Sequence, residues 1–388
     1  MNDQNFKKQL NIISRGTDEI IGQETLVEKL KKGKKLRVKF GADPTAPDLH
    51  IGHTVVMEKL VQFQKLGHTV IFIIGDFTAR IGDPSGRSKE RPVLGKDEIE
   101  KSIEGFKDQI FKVLSPKNIE LVRNSTWLDK LGPEGIIKLA SRYTVARMLE
   151  RNDFSKRYKK GNPISISEFL YPLLQGYDSV EIESDIEIGG TDQKFNLLVG
   201  RELQRAKGAS PQSILTMPLL EGTDGVKKMS KSYGNHIGIN EPPYEMLGKI
   251  MSVSDDMMKR YYKLLTTEDM DKVEKMHPMK AKKNLARKIT EKYHGSEEAR
   301  WALKKFDRVF SKGKEPEDMD LYRVNKEEKL VDIIAGKNIL SSKSQVKRFI
   351  KQGAISVDGK KIKNRNHTVS PGKEKTVKIG KRNFLKLT

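Results

Sequence analysis

Leu36-Arg37-Val38-Lys39-Phe40-Gly41-Ala42-Asp43-Pro44 leads, a few residues on, into His50-Ile51-Gly52-His53, and this junction decides how the first half of the chain is read. Leu36, Val38 and Phe40 alternate with two basic residues, which is a strand pattern, and the turn-forming Gly41 to Pro44 stretch closes it. Beyond His50 the apolar Val56, Leu60 and Phe63 recur at spacings of four and three, so a helix is predicted there, with Gly67 as its C-terminal cap. The next run, from Thr69 to Ile74, is apolar at nearly every position, as a parallel strand covered on both faces requires. Strand, helix, strand in this order is a βαβ unit. The fold class predicted is therefore α/β, a Rossmann-like parallel sheet of the doubly wound kind that binds nucleotides.

The rest of the chain divides by composition. Residues 85–165 mix Pro, Gly and basic clusters such as Lys156-Arg157-Tyr158-Lys159-Lys160, and read as an insertion into the sheet. Residues 1–232 are taken as the catalytic domain with this insertion, and 233–310 as a helical domain. Residues 311–326 have linker composition, and 327–388 form a small α+β tail domain. In that tail Ser342 and Gln345 make a capping box for a helix of about ten residues. Gly353 ends the helix, and Asp358-Gly359 then turns a hairpin.

With 388 residues and a hydrophobic fraction of 36%, the chain can bury more than one core. It has no cysteine, which excludes disulfides and thiolate metal sites. The N-terminal residues lack a signal-peptide pattern and no apolar run has the length of a membrane span, so a cytoplasmic protein without membrane attachment is expected. The net charge is +22, and residues 326–388 hold 17 Lys and Arg against five Asp and Glu, a surplus of 12. More than half the excess thus sits in the last sixth of the chain, which points to a polyanionic partner for the tail.

Two motifs carry chemistry. In His50-Ile51-Gly52-His53, Gly52 lets a nucleotide approach the backbone, and the helix N-terminus offers free N–H groups to phosphate. Two imidazoles there could donate to oxygens gaining charge in a phosphoryl transition state, or could equally be structural. Lys228-Met229-Ser230-Lys231-Ser232 follows the glycine-bearing Gly222-Thr223-Asp224-Gly225. Such a mobile basic loop suits closure over a triphosphate, though alone it could be a solvated surface loop.

Taken together, the two motifs resemble the paired signatures of class I aminoacyl-tRNA synthetases. Four further stretches resemble the tyrosyl enzymes of that class. They are Asp43-Pro44-Thr45-Ala46, Gly82-Asp83-Pro84-Ser85-Gly86, the set Tyr171, Gln175 and Asp178, and Gly189-Gly190-Thr191-Asp192-Gln193. The resemblance implies tyrosine activation by ATP, with Mg²⁺ accompanying the nucleotide, followed by transfer to tRNA(Tyr). It implies that Asp83, Tyr171 and Gln175 hold the α-ammonium of tyrosine, that Asp178 accepts its phenolic O–H, and that Gln193 lines the pocket. Asp43, Gly52, Asp192 and Lys231 would bind ATP. Thr45, His50 and His53 would face the phosphates and ribose, and Lys228 and Lys231, helped by Arg87 and Arg91, would stabilise pyrophosphate. The tail resembles S4-like RNA-binding domains, with Lys343, Lys347, Arg348 and Lys351 toward tRNA. A homodimer formed through the insertion is implied as well. One departure stands out: by alignment on Asp43-Pro44, Lys39 occupies a position where many tyrosyl enzymes place a tyrosine against the substrate phenol. Lys39, or a water it holds, is a candidate second partner of that phenol. The rival readings are the sister tryptophanyl enzyme, which lacks the Tyr171, Gln175 and Asp178 set, and an RNA-binding protein that has lost catalysis.

Overall fold

The βαβ unit expected from the opening stretch is present as β2 (Arg37–Ala42), α1 (Ile51–Lys65) and β3 (Thr69–Ile74) in a computed structural model of the chain. The structure describes residues 3–44, 48–85, 95–311, 319–337, 339–340, 342–372, 374–380 and 383–388. Residues Met1–Arg300 and Trp301–Thr388 form two compact units.

In the first unit β1 (Glu19–Ile21), β4 (Ile119–Arg123), β5 (Ile186–Gly190) and β6 (Ser213–Met217) complete a six-stranded sheet, in the order β1-β6-β5-β2-β3-β4. All neighbours are parallel except β1, which runs antiparallel to β6. Strands β3 and β5 flank β2 on opposite sides, so the winding reverses between β2 and β5. Ligands of open α/β sheets bind at the C-terminal ends of the strands beside such a reversal. Asp43 follows β2 there, Gly190 ends β5 and Asp192 comes two residues later.

The apolar run of β3 is buried at five of six positions because helices cover both faces, which is why it shows no alternation. Helix α2 (Ile166–Glu181) opens with Ser165 and Glu168 as a capping box and packs along α3 (Lys194–Ala206), where Gly176 allows close approach. One expectation needs correcting. Residues 85–165 are not all an insertion, because β4 lies among them and extends the sheet beside β3. Its pattern, half buried at an edge, is weaker than that of the central strands. The helices between residues 125 and 160 lie outside the sheet. Helices expected in residues 233–310 are present, and those from 243 to 294 belong to the same compact unit as the sheet. Among them Tyr293 donates from its hydroxyl to Thr54 on α1 at 3.1 Å.

The second unit has its own core, including Leu330, Ile334, Val346, Ile350, Val377 and Leu385. Its helix Lys343–Lys351 starts at Ser342, whose side chain accepts from Gln345 N. Ile355–Val357 and Lys360–Lys361 pair as a hairpin around Asp358 and Gly359, both with positive φ. Strand Asp320–Tyr322 pairs in parallel with Asn383–Leu387, so the tail fold takes in residues that the sequence reading leaves in the linker. Residues 312–318 of that linker lie outside the described residues. No helix among the described residues is long and apolar enough to cross a membrane.

Candidate active site

A cleft of about 710 Å³ opens at the ends of β2 and β5, where the winding reverses. It brings together residues from both motifs and all four further stretches, among them His50, Asp83, Tyr171, Asp178, Gln193 and Lys228.

One end of the cleft is built on α2. Tyr171, Gln175 and Asp178 share its inner face because they stand four and three residues apart. Asp178 is buried, and its Oδ1 accepts from Trp127 Nε1 at 2.8 Å while Oδ2 accepts from Asn124 Nδ2 at 3.4 Å. Burial raises its carboxyl to about 7, against the lowering effect of Lys39 and of the bonds from Trp127 and Asn124. The Tyr171 hydroxyl donates to Asp43 Oδ2 at 2.9 Å, and Asp43 Oδ1 accepts from Thr78 Oγ1 at 2.7 Å. Burial foremost, then the charge of Asp43, lifts the Tyr171 phenol well above its ordinary value, so it stays neutral. Gly75 is required here, since a Cβ would lie 2.1 Å from Asp43 Oδ1.

A ring of amides carries the arrangement across the cleft. Gln193 Nε2 donates to Asp83 Oδ2 at 2.8 Å, and Asn196 Nδ2 donates to Gln193 Oε1 and Gln175 Oε1, both at 3.0 Å. Arg151 ties this ring down by donating to Asn196 Oδ1 at 3.0 Å and to Ser85 Oγ at 2.9 Å. These bonds fix amide orientations and leave oxygen lone pairs of Asp83, Tyr171 and Gln175 as acceptors.

The other end is set by the junction that opens α1. Residues 49–51 are held beside 237–239 by Ile51 N to Ile237 O at 2.9 Å and Ile239 N to Leu49 O at 3.0 Å. The histidine motif is thereby anchored to the chain just beyond the lysine loop. The His50 and His53 rings stack with centroids 3.7 Å apart, and His53 Nδ1 accepts from the His50 backbone N–H at 3.3 Å. A Cβ on Gly52 would lie 2.9 Å from His50 Nδ1, so only glycine admits this stacking. Burial, then nearby positive charge, holds His50 down to about 2 and His53 to about 4. Both rings are therefore neutral, each carrying one N–H to donate.

Asn235 organises the lysine loop by accepting from Ser230 N at 2.8 Å and donating to Asp224 Oδ2 at 3.0 Å. Lys228 Nζ lies 3.6 Å from Asp192 Oδ2, at the cleft. Lys231 points instead to Asp48, 2.7 Å away, two residues before His50. Thr45, Arg87 and Arg91 lie outside the described residues. The tail residues Lys343, Lys347, Arg348 and Lys351 are exposed on one helix of the second unit. No group of three or more His, Asp or Glu suited to a metal ion occurs among the described residues.

Lys39 is a correction. It is fully buried, and its Nζ donates to Gln175 O, Ser179 Oγ and Glu187 Oε1 rather than facing the cleft. The partners of Asp178 are Trp127 and Asn124, which sequence reasoning missed. They follow β4 some 50 residues upstream, and only the position of Asn124 directly after a strand could have drawn notice. Arg151, Asn196 and Asp48 were missed for the same reason, as each acts through a partner remote in sequence.

Residues 31–311 match the family described as "tRNA synthetases class I (W and Y)", and residues 312–385 the "Tyrosine--tRNA ligase SYY-like C-terminal domain". The chain is 53% identical to the tyrosine–tRNA ligase of Oleidesulfovibrio alaskensis and 51% identical to that of Aquifex aeolicus, each match covering 98% of both chains. Among solved structures it resembles the tyrosyl-tRNA synthetase of Archaeoglobus fulgidus complexed with L-tyrosine, with a TM-score of 0.64 and 23% identity over 78% of this chain and 100% of that one. A C-terminally truncated mitochondrial tyrosyl-tRNA synthetase from Aspergillus nidulans gives 0.67 and 22% over 79% and 94%. At such identities the likeness to these structures speaks to the fold alone.

Proposed function

The chain belongs to the tyrosine–tRNA ligase branch of the class I tRNA synthetases, and on that premise we propose how its cleft activates tyrosine with ATP and passes it to tRNA(Tyr). Asp178 accepts the phenolic O–H. The observation that carries this reading is a buried carboxylate lining the cleft, with Trp127 and Asn124 orienting it by neutral donors. Phenylalanine would leave that carboxylate without its partner, which costs about 10²-fold or more in binding. Asp83, Tyr171 and Gln175 receive the α-ammonium, one carboxylate and two neutral acceptors for three N–H donors. Gln193 supports Asp83 and lines the pocket.

In the first step a tyrosine carboxylate oxygen attacks the α-phosphorus of ATP in line, and the bond to pyrophosphate breaks. The nucleophile is already ionised, so no general base is needed, and the rate comes from positioning and charge stabilisation. His50 and His53, kept neutral by burial, donate N–H to the nucleotide's phosphate and ribose side. Gly52 lets the nucleotide approach. Asp43 bears on the nucleotide side as well as on Tyr171, and Asp192 binds the ribose hydroxyls. Lys228 and Lys231 neutralise the departing pyrophosphate. On resemblance, Arg87 and Arg91 assist there, and Thr45 meets the phosphates beside His50. Mg²⁺ enters with ATP as part of the substrate. In the second step a 3′-terminal ribose hydroxyl of tRNA attacks the tyrosyl carbonyl and AMP leaves.

Lys343, Lys347, Arg348 and Lys351 contact tRNA, supported by their exposure on one helix of a strongly basic tail. A homodimer forms through the helices between β4 and α2 and the first turn of α2, where Ile137, Val145, Tyr158 and Ile166 are 59–80% exposed, an arrangement that favours a covering partner. The cytoplasm is its compartment. Equilibrium binding tests the pocket without catalysis. Tyramine, which keeps the ammonium and phenol but lacks the carboxylate, should bind within about tenfold of tyrosine, and phenylalanine about 10²-fold more weakly. Equal binding of phenylalanine and tyrosine would contradict the assignment of Asp178.

A further inference from the structure

Lys39, behind the tyrosine end of the cleft, and Glu187, which lines it, form a charged pair that the roles above do not use. Lys39 on β2 and Glu187 on β5 face each other directly across the sheet, 0% and 1% exposed, with Nζ 2.8 Å from Oε1. Burying two charges is costly unless their remaining hydrogen-bonding capacity is also met. Here it is met. The ammonium has three N–H groups, and it has three acceptors: Glu187 Oε1, the Gln175 carbonyl at 2.7 Å and Ser179 Oγ at 2.7 Å. Glu187 in turn accepts from Ser179 Oγ at 3.0 Å, from Gln175 Nε2 at 3.4 Å and from Gln212 Nε2. No donor of Lys39 is left for a substrate phenol. What the ammonium grips is α2 itself, at residues 175 and 179, on either side of Asp178.

We propose that Lys39 is a positioning residue for tyrosine recognition: from behind the pocket it fixes the turn of α2 that carries Gln175 and Asp178, and it supplies the positive charge that keeps Asp178 an acceptor. The groups facing Asp178 are Lys39 from β2, Glu187 from β5, Tyr171 from its own helix, and the neutral donors Asn124 and Trp127 from the segment after β4. Asp43 and Asp83 act on Tyr171 in turn. Lys39 is the positive group among them. It is the foremost influence opposing the burial that raises the Asp178 carboxyl, and outweighs the opposite effect of Glu187.

The inference rests on the tyrosine reading, and the two fail separately. Absence of tyrosine-dependent pyrophosphate exchange by the unaltered protein would remove that reading, whereas the variants bear on Lys39 alone. Lys39→Met keeps the volume but strands Glu187, so the charge-balanced double variant Lys39→Met with Glu187→Gln is measured beside it, full length, from pH 6 to 9. In both, the acid limb of kcat/KM for tyrosine should move up by about one pH unit, and the tyrosine KM at pH 7 should rise about tenfold. The ATP KM should stay within about twofold. If Lys39 merely neutralises Glu187, the double variant regains the unaltered pH profile and tyrosine KM, and the proposal is overturned. Equal rises in the tyrosine and ATP KM, with the acid limb unmoved, would overturn it too.

Discussion

Asp178 serves recognition at some expense to the fold. Its carboxyl, raised from 3.8 to about 7 in the folded chain, makes a contribution to stability that is present below about pH 4 and is lost as pH rises through about 7. Recognition of the phenol has the opposite demand, since only the carboxylate accepts without competing as a donor. Tyrosine kcat/KM should therefore fall as pH drops below about 7, over an interval in which the folded state gains stability. Asp178→Asn should cut tyrosine kcat/KM by about 10²-fold and raise stability at pH 8 by about 1 kcal/mol. Exchange kinetics and denaturant midpoints check the two halves, and a variant both active and less stable would contradict the account. At this scale the sequence was legible where function lies on one element. Tyr171, Gln175 and Asp178 were marked by the resemblance, and their spacing of four and three put them on one helix face, whereas Trp127, Asn124 and Arg151 meet the site only through folding. Lys39 was visible as a departure, but a strand residue can face either side of a sheet, and sequence could not say that it lies behind the pocket.

Among the elements, the lysine loop and the start of α1 answer to each other. Backbone pairing of 49–51 with 237–239 holds the two segments together, and Lys231 rests on Asp48 at that seam. The ion pair is half exposed, so it is weak and can be exchanged for a more highly charged partner such as pyrophosphate. Because that charge develops as the reaction proceeds, Lys231→Ala should slow adenylate formation by about 10²-fold while leaving the tyrosine Kd within about twofold. Single-turnover rates and equilibrium dialysis separate the two, and equal losses would refute a role confined to the transition state. The βαβ unit around α1 was readable from periodicity because its strands are central and its helix long. Strand β4 was not, since five residues at an edge, flanked by polar turns, carry little pattern of their own.

For the whole molecule, charge and core are distributed unevenly. The tail holds a surplus of 12 positive charges and a separate apolar core, so it is equipped both to fold alone and to bind a polyanion. Removing residues 312–388 should leave tyrosine-dependent exchange within about twofold, reduce the kcat/KM for charging tRNA at least about tenfold, and flatten its dependence on salt. Unchanged charging would show that the tail serves something else. Its helix and hairpin were legible from local signals, a cap at Ser342 and the Asp358-Gly359 turn. The strand at Asp320–Tyr322 was not, because three residues acquire strand character only by pairing with the chain's last strand. The central claim is that this cleft activates tyrosine and reads its hydroxyl. The most direct measurement is ATP–pyrophosphate exchange by the purified protein with tyrosine, phenylalanine and tryptophan in parallel. Exchange with tyrosine alone is the predicted result, and exchange supported equally by phenylalanine or tryptophan, or by none of the three, would contradict it.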